Sequence, residues 1–270
     1  FAPHQLADAI QSMEACLNDV QKWMLHFKLK MNCSKTEYMV IATPRIARDH
    51  DFQRVISVCG AEIAPSSSAV RNLGVHMASD LSLDTHVSLL SRVCFAQLRS
   101  ISRVKRYLDQ ATLEKVVHAF VTSKLDYCNS LLLGAPAKIM ARVQRIQNAA
   151  ARIVSGTPIH HHITPVLREL HWLSVEKRVM YKVLLIAFKI IHGPCPSYLN
   201  VLTLRDATQS RTLRQSNSNM LDVAFTSSSF VYQRSFTYAA PRMWNSLPSN
   251  LRCCDELNAF KARLKTYLFN

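Results

Sequence analysis

Glycine is scarce in this chain, with 5 glycines among 270 residues. Phosphate-binding loops and tightly turned β-folds depend on glycine, because it adopts left-handed backbone conformations without a steric penalty. The scarcity argues against a Gly-rich nucleotide loop and against a β-barrel or β-sandwich. Hydrophobic residues make up 49% of the chain, which predicts a folded core rather than a disordered segment.

Acidic residues are also few, since 18 Asp and Glu face 33 Lys and Arg and leave a formal net charge of +15. A chain this basic repels itself unless it works beside a polyanion, and nucleic acid is the commonest such partner. An anionic membrane surface is the rival partner. However, no apolar run approaches the roughly 20 residues that a spanning helix needs. The longest, residues 179–191, contains Tyr181, Lys182 and Lys189. We therefore expect nucleic acid and no membrane.

The 8 cysteines are spread widely, and none of them forms a Cys-x-x-Cys pair. No signal-peptide pattern opens the sequence, and a chain of this size needs no disulfide framework in order to fold. We expect reduced thiols, and hence an intracellular protein of the cytoplasm and nucleus. The first residue is Phe1 rather than methionine, which suggests a fragment of a longer protein.

The sequence lacks the patterns of familiar catalytic centres. It has no Gly-x-Ser-x-Gly, no His-Glu-x-x-His and no Asp-Asp pair, and the nearest carboxylates, Asp49 and Asp51, lie in a polar segment. Residues 160–162 are three histidines without the i, i+4 spacing and third ligand of a helical metal site. We expect a solvated loop there, no metal site, and no cofactor bound by this chain.

Hydrophobic periodicity predicts an α+β fold that is mainly α-helical. Apolar residues from Leu6 to Phe27 recur at steps of four and three, which predicts a helix. Apolar and β-branched runs at residues 38–43, 55–59 and 70–77 predict a small antiparallel sheet of about three strands near the N-terminus. A helical bundle follows, with helices expected at about residues 83–108, 110–123, 136–154, 174–191 and 255–269. Between the last two, we expect a linker at 205–219 and short strands at 220–238.

The helix predicted from residue 83 carries arginines opposite its apolar stripe. They follow at spacings of seven, four and three residues, as Arg92, Arg99, Arg103 and Arg106. At about 100° per residue, the offset from Leu90 to Arg92 is a rotation of roughly 200°. Acidic residues flank only the ends of this helix. Such a row matches phosphate contacts better than ion pairs within a helix, although a solvated surface is the simpler alternative.

Seven short motifs follow one another along the chain: WM at 23–24, LKMNCSKTE at 29–37, RNLGV at 71–75, LDYCNS at 125–130, QNAAAR at 147–152, LHWL at 170–173 and AAPRMWNSLP at 239–248. In this order they resemble the reverse transcriptases of non-LTR (LINE-type) retrotransposons. The first two look like the segment just beyond the catalytic Asp-Asp motif, and the third like the primer-grip strand. The others resemble that family's C-terminal region.

This resemblance implies three parts: residues 1–80 as the end of the palm with primer-grip-like strands, 81–156 as a helical thumb, and 157–270 as a C-terminal helical region with a Ser/Thr/Asn-rich connection. Family polymerases copy RNA into DNA with Mg²⁺ held by palm carboxylates, which here would precede Phe1. The chain is then expected to be inactive alone. Its expected partners are the RNA template, an RNA–DNA or DNA duplex, and the missing palm and fingers.

The resemblance also implies contacts with nucleic acid. Lys35 would lie beside the nucleotide's phosphates as an auxiliary to catalysis, the alternative being a surface lysine. Leu73 and Gly74 would press the primer strand. With the arginines of two helices, the predicted set of nucleic-acid-binding residues is Lys28, Lys30, Lys35, Arg71, Leu73, Gly74, Arg92, Arg99, Arg103, Arg106, Arg142, Arg145 and Arg152.

A second hypothesis is a host-retained remnant that acts as a protein-interaction module without catalysis. In that case the apolar stripes would bind a partner protein. Charge reversal at Arg99 and Arg103 separates the two hypotheses, because only the first requires these arginines for binding.

Overall fold

The computed structural model describes residues 2–49, 52–193, 195–204, 219–223 and 234–269. The chain divides into two compact units, Phe1–Ser88 and Leu89–Asn270. The predicted fold class is confirmed, since helices dominate and the strands are short, antiparallel and near the N-terminus. The boundary expected at residue 156 falls within the second unit, where helices on both sides of it pack together.

Helix α1, Leu6–His26, forms the first part of the first unit. Its Ile10 and Leu17 pack against a small core of Tyr38, Ile56 and Val58. The predicted helix is confirmed, but only part of its apolar stripe is covered: Leu6 is the one buried residue within α1. The other apolar side chains of the helix are half-buried or exposed.

Two separate antiparallel hairpins make up the sheet structure in the described part of the first unit. Strands β1 and β2 are Ile56–Val58 and Ala61–Ile63, and strands β3 and β4 are Val70–Asn72 and Val75–Met77. Each pair is joined by two residues in the left-handed region, with φ of 52° and 78° at Cys59 and Gly60 and of 46° and 86° at Leu73 and Gly74. Positive φ at both central residues is the geometry of a type I′ turn, which suits the twist of a hairpin.

The prediction of a sheet of about three strands was therefore wrong in its connectivity. The segment predicted as one strand at residues 70–77 reverses at Leu73 and Gly74 to form a hairpin. Residues 38–43 contribute a single bridge, between Tyr38 and Pro65. The physical reason is the positive φ at Leu73 and Gly74, because a residue with positive φ cannot continue an extended strand.

Helices account for most of the second unit, and α3, Asp84–Val104, spans the boundary between the units. The helices that follow are α4 (Gln110–Val117), α5 (Ser123–Asp126), α6 (Ala137–Ser155), α7 (Thr164–Glu169), α8 (Val175–His192), α9 (Phe236–Asn245), α10 (Ser249–Arg252) and α11 (Leu257–Phe269). A π-helical turn, His118–Thr122, joins α4 to α5 without a break. In the first unit, a short helix α2, Pro44–Asp49, had not been predicted.

Local signals explain where several of these helices begin and end. The Ser174 hydroxyl accepts a hydrogen bond from the Lys177 amide and caps the start of α8. The Asp109 carboxylate does the same for the Thr112 amide at the start of α4. Gly156, with φ of 71°, ends α6 in the left-handed conformation typical of helix C-termini.

Residues 224–233 of the segment predicted as short strands, 220–238, lie outside the described residues. Its described residues include Leu221, which forms a bridge with Leu204, and the start of helix α9. The strand prediction was wrong at residues 236–238, because these residues form the start of α9. The helix continues through Pro241, a residue that ordinarily argues against a helix interior. Most of the predicted linker at 205–219 lies outside the described residues. None of the described helices is long and apolar enough to cross a membrane.

Three buried rings form the centre of the packing among α8, α9 and α11. Phe188 and Phe260 stack with ring centroids 4.3 Å apart, and Trp244 lies 5.7 Å from Phe260. Trp244 and Phe260 are completely buried. The indole N–H of Trp244 is satisfied by the Asn219 carbonyl at 2.7 Å, so this core contains no unpaired indole donor.

Replacing Phe260 by alanine removes the central ring of this cluster. We expect the free energy of unfolding of the second unit to fall by about 3–5 kcal/mol, because a large cavity remains. Urea denaturation followed by the fluorescence of Trp172 and Trp244 measures the change. Tyr198→Ala, at a side chain that is 76% exposed, is the control and should shift stability by less than about 0.5 kcal/mol. Equal losses in both variants would contradict this packing.

The first unit contains a histidine whose ionisation opposes folding. The His76 amide donates to His86 Nδ1 at 3.5 Å, and the two rings stack at 6.3 Å. Burial lowers the pKa of His86, and the neighbouring His76 lowers it further. Below the ordinary histidine pKa of about 6.5, the unfolded state therefore binds more protons than the folded state.

We expect the first unit to lose stability as pH falls from about 7 towards 5. His86→Asn should flatten this dependence, because asparagine offers an acceptor but does not titrate. Thermal melts by circular dichroism across this pH range provide the measurement. An unchanged pH dependence in the variant would show that His86 does not contribute to it.

Candidate nucleic-acid interface

The arginines of α3 lie on an exposed side of the helix. Arg92, Arg99 and Arg103 are exposed along α3, and Arg106 is exposed in the 3₁₀ turn that follows. On the opposite side Val87, Cys94, Leu98 and Ile101 are buried, as the periodicity predicted. The predicted apolar stripe is shorter than expected, because Val104 is exposed and Leu90 and Leu108 are only half-buried.

These four arginines, which we call the arginine row, form no ion pair with any carboxylate in the described part of the chain. The guanidinium of Arg106 lies 4.7 Å from the ring centroid of Tyr107. A row of exposed guanidinium groups without carboxylate partners among the described residues has positive charge that nothing described compensates. Its repeat of one or two helical turns suits a polymer with regularly spaced charges.

The arginines of α6 are in different surroundings. Arg152 is half-buried, and its guanidinium donates to the carbonyls of Pro158 and His161. It therefore anchors the loop that follows α6. Arg142 is half-buried and has a partner within the protein, whereas Arg145 is exposed and donates to the Ala141 carbonyl of its own helix. Of these three predicted contacts, Arg145 is the most accessible to a ligand.

The predicted contacts of the first unit fall into two places. Lys28 and Lys30 line an open groove of about 1040 Å³ behind the end of α1, and Lys35 is exposed in the neighbouring 3₁₀ turn, Cys33–Lys35. Arg71, Leu73 and Gly74 lie in the β3–β4 hairpin, where the Leu73 side chain is 83% exposed at the turn. Leu73 and Gly74 thus occupy a projecting hairpin tip rather than the middle of a strand.

Three of the motifs that resemble the reverse-transcriptase family contribute residues to a hydrogen-bond network inside the second unit. Arg178 Nη1 donates to both carboxylate oxygens of Asp126, at 2.7 and 2.9 Å. Arg178 Nε donates to the Leu173 carbonyl at 3.1 Å, and the same carbonyl accepts from Gln147 Nε2 at 2.7 Å. The Arg178 guanidinium and the Leu173 carbonyl therefore join the LDYCNS, QNAAAR and LHWL motifs.

Further bonds extend this network to neighbouring helices. The Val175 amide, at the start of α8, donates to Gln144 Oε1 on α6 at 2.9 Å. Trp172 Nε1 donates to the Glu114 carboxylate on α4 at 3.1 Å. In the AAPRMWNSLP motif, the Asn245 side chain bonds both the amide and the carbonyl of Leu221, each at 2.8 Å. These motif residues contribute to the stability of the helical unit.

Asn129 is the exception in this network. Its side chain is 4% exposed, and its Nδ2 donates to Asp126 at 3.4 Å. Its Oδ1 finds no hydrogen-bond partner among the described residues. A buried acceptor left in this state costs roughly 1–3 kcal/mol. Sequence reasoning missed Asp126, Asn129 and Arg178 as site residues, because a pair 52 positions apart leaves no local pattern.

Among the described residues, no group of three His, Cys, Asp or Glu side chains is placed to hold a metal ion. The histidines at 160–162 are exposed. The side chains of Asp49 and Asp51 lie outside the described residues. All eight cysteines are free thiols, and burial raises the pKa of Cys94 to about 11.

Comparison with protein-family models, with curated proteins and with solved structures found no match to this chain. The support for a function therefore comes from its own residues.

Gln147→Ala tests the structural role of the network. We expect a loss of about 1–3 kcal/mol in the free energy of unfolding, because the change removes a buried hydrogen bond to the Leu173 carbonyl. Arg145→Ala, on the exposed side of the same helix, is the matched control and should change stability by less than about 0.5 kcal/mol. Urea denaturation gives both values. A Gln147 variant as stable as the control would show that the network does not hold α6 in place.

Proposed function

We propose that this chain binds nucleic acid along its phosphate backbone, as the trailing part of a LINE-type reverse transcriptase whose palm carboxylates lie outside this sequence. The observation that carries the proposal is the arginine row, exposed and without carboxylate partners among the described residues. The net charge of +15 and the ordered motifs support it.

The dimensions of the arginine row suit a duplex. Arg92 and Arg106 are 14 positions apart, which is about 21 Å along a helix. One strand of a duplex presents a phosphate roughly every 3.4 Å along its axis, so the row spans about six phosphates. Guanidinium contacts to phosphates carry little sequence information. Binding should therefore depend strongly on salt and only weakly on sequence.

In this proposal the chain positions a template–primer duplex and carries out no chemical step. The Mg²⁺ ions and the catalytic carboxylates belong to the palm segment of the implied polymerase. Lys35 is exposed at the end of a 3₁₀ turn, which leaves it accessible for the auxiliary role that the resemblance implies. Leu73 and Gly74, at the hairpin tip, are accessible to a primer strand.

One observation favours the second candidate function, a protein-interaction module. Helix α1 exposes several large apolar side chains, with exposed fractions of 45% at Met13, 41% at Val20 and 59% at Trp23. Phe27, just beyond α1, packs against Trp23 with ring centroids 4.9 Å apart. Contiguous apolar surface of this kind is typical of protein contacts.

Arg99→Glu combined with Arg103→Glu tests the proposed function. We expect at least about a tenfold loss of affinity for a fluorescein-labelled RNA–DNA hybrid, because attraction to two phosphates becomes repulsion. Fluorescence anisotropy measures the affinity. For the unmodified chain, four phosphate contacts predict a loss of about 10²-fold between 50 and 200 mM salt.

Lys22→Glu combined with Arg263→Glu is the matched control, since it makes the same change in net charge at exposed positions outside the arginine row. The control should retain most of the affinity. Binding that is insensitive to salt, or equal in the two double variants, would reject the arginine row as the contact. Loss of a protein partner on Trp23→Ser, with hybrid binding intact, would favour the second candidate.

A further inference from the structure

Two cysteines of the first unit lie side by side, although they are 26 positions apart in the sequence. The Cys33 thiol donates a hydrogen bond to the Val58 carbonyl at 3.4 Å, and Val58 is the residue before Cys59. The Cys59 thiol is itself hydrogen-bonded to that of Cys33. Both side chains are half-buried and pack against the small core that contains Tyr38 and Ile56. The fold therefore brings two thiols from separate segments into contact.

The contact connects a short segment to the β1–β2 hairpin. Among the described residues, the other hydrogen bonds of residues 31–36 are internal: the Lys35 amide and the Thr36 hydroxyl donate to the Asn32 carbonyl, and the Thr36 amide donates to Cys33. A thiol is only a weak donor. With reduced thiols, this segment is therefore held to the hairpin by apolar packing and weak hydrogen bonds.

Both thiols are accessible from the open groove of about 1040 Å³ at the end of α1, since Cys33 and Cys59 are part of its lining. Lys28 and Lys30 line the same groove, and none of its described lining residues is acidic. The positive charge favours the approach of an anionic reagent. Oxidised glutathione is a small disulfide of this kind, because its carboxylates outnumber its ammonium groups.

The ionisation of the thiols affects how fast they react. Burial raises the pKa of the Cys59 thiol, the hydrogen bond and charge of the neighbouring Cys33 raise it further, and Lys30 lowers it. Two adjacent thiols do not readily ionise together, because their negative charges repel. Since the thiolate is the nucleophile in thiol–disulfide exchange, the reaction should be slow at neutral pH and become faster as pH rises.

We propose that Cys33 and Cys59 are a redox-active pair, which a small anionic disulfide such as oxidised glutathione converts into a disulfide bond. One thiolate of the pair attacks a sulfur of the oxidant, the S–S bond of the oxidant breaks, and one glutathione leaves and takes up a proton. The other thiolate then attacks the mixed disulfide and releases the second glutathione. The pair loses two electrons and two protons, and glutathione gains them.

The new bond joins the Cys33–Lys35 turn covalently to the β1–β2 hairpin. A disulfide that closes a loop across 26 positions restricts the unfolded chain, and so stabilises the folded first unit. Oxidation therefore converts a weak contact into a firm one. The inference goes beyond the proposed function and does not depend on it, since the arginine row lies in the second unit.

Incubation of the full chain with oxidised glutathione, followed by alkylation, trypsin digestion and mass spectrometry, tests the pair. We expect the tryptic peptides 31–35 and 55–71 to be linked. Hydrogen exchange of the backbone amides in the first of these peptides should slow by about tenfold or more, and dithiothreitol should reverse both changes. Peptides that each carry a separate glutathione, or that do not react at all, would overturn the proposal.

Cys33→Ser should abolish both the link and the slower exchange. Cys16→Ser is the matched control, because it removes an exposed thiol of α1 in the same unit, and it should leave both effects intact. If Cys33→Ser does not fold, Cys59→Ser takes its place, and the peptide map of the unmodified chain decides by itself. Slower exchange that persists without Cys33 would show that another thiol is responsible and would reject the pair.

Rates measured with oxidised glutathione and with the uncharged disulfide of 2-mercaptoethanol identify the class of oxidant. Lys28→Gln with Lys30→Gln should lower the ratio of the two rates by about threefold or more, because the attraction for an anionic reagent is lost. Lys22→Gln with Arg45→Gln removes the same charge at exposed positions outside the groove and should leave the ratio unchanged. Equal ratios in the two double variants would overturn the assignment of an anionic oxidant.

Discussion

The carbonyl oxygen of Leu173 joins three parts of the second unit. It accepts from Gln147 on α6 and from Arg178 on α8, and Arg178 in turn holds Asp126 at the end of α5. Arg178 is mostly covered by protein, with 17% of its side chain exposed, so a missing partner would leave a charge in poor contact with water. The positions of α5, α6 and α8 depend on these few bonds, and Asp126, Leu173 and Arg178 also line a cavity of about 300 Å³.

The arginines of this chain differ in whether other groups of the protein compensate their charge. Arg152 and Arg178 are bonded to carbonyls and a carboxylate and act as structural ties. The arginine row has no such partners among the described residues, so its charge is available to a ligand. Local surroundings thus separate arginines that hold the fold together from arginines whose five guanidinium donors are not taken up by described carboxylates.

Periodicity predicted the helices well, because it reports directly which face is buried. The helices of residues 137–155, 175–192 and 257–269 lie within a few positions of their expected limits. It failed where the backbone reverses at Leu73, a residue type with no local preference for positive φ, and where α9 runs through Pro241. The exposed side of α3 was predictable from spacing. The cavity was not, because its residues come from segments more than 130 positions apart and no local pattern marks such a meeting.

The π-helical turn between α4 and α5 determines which side of α5 faces the core. Buried residues recur there at intervals of four, as Leu113, Val117, Val121 and Leu125. In a regular α-helix each such step drifts by about 40°, so the last would lie about 120° from the first. The wider turn absorbs part of that drift and keeps one side facing inward. A deletion of one residue in this turn would rotate the Asp126 side chain by about 100°. Insertions and deletions here would therefore act on the distant Arg178 pair and on the cavity, although the deleted residue itself touches neither.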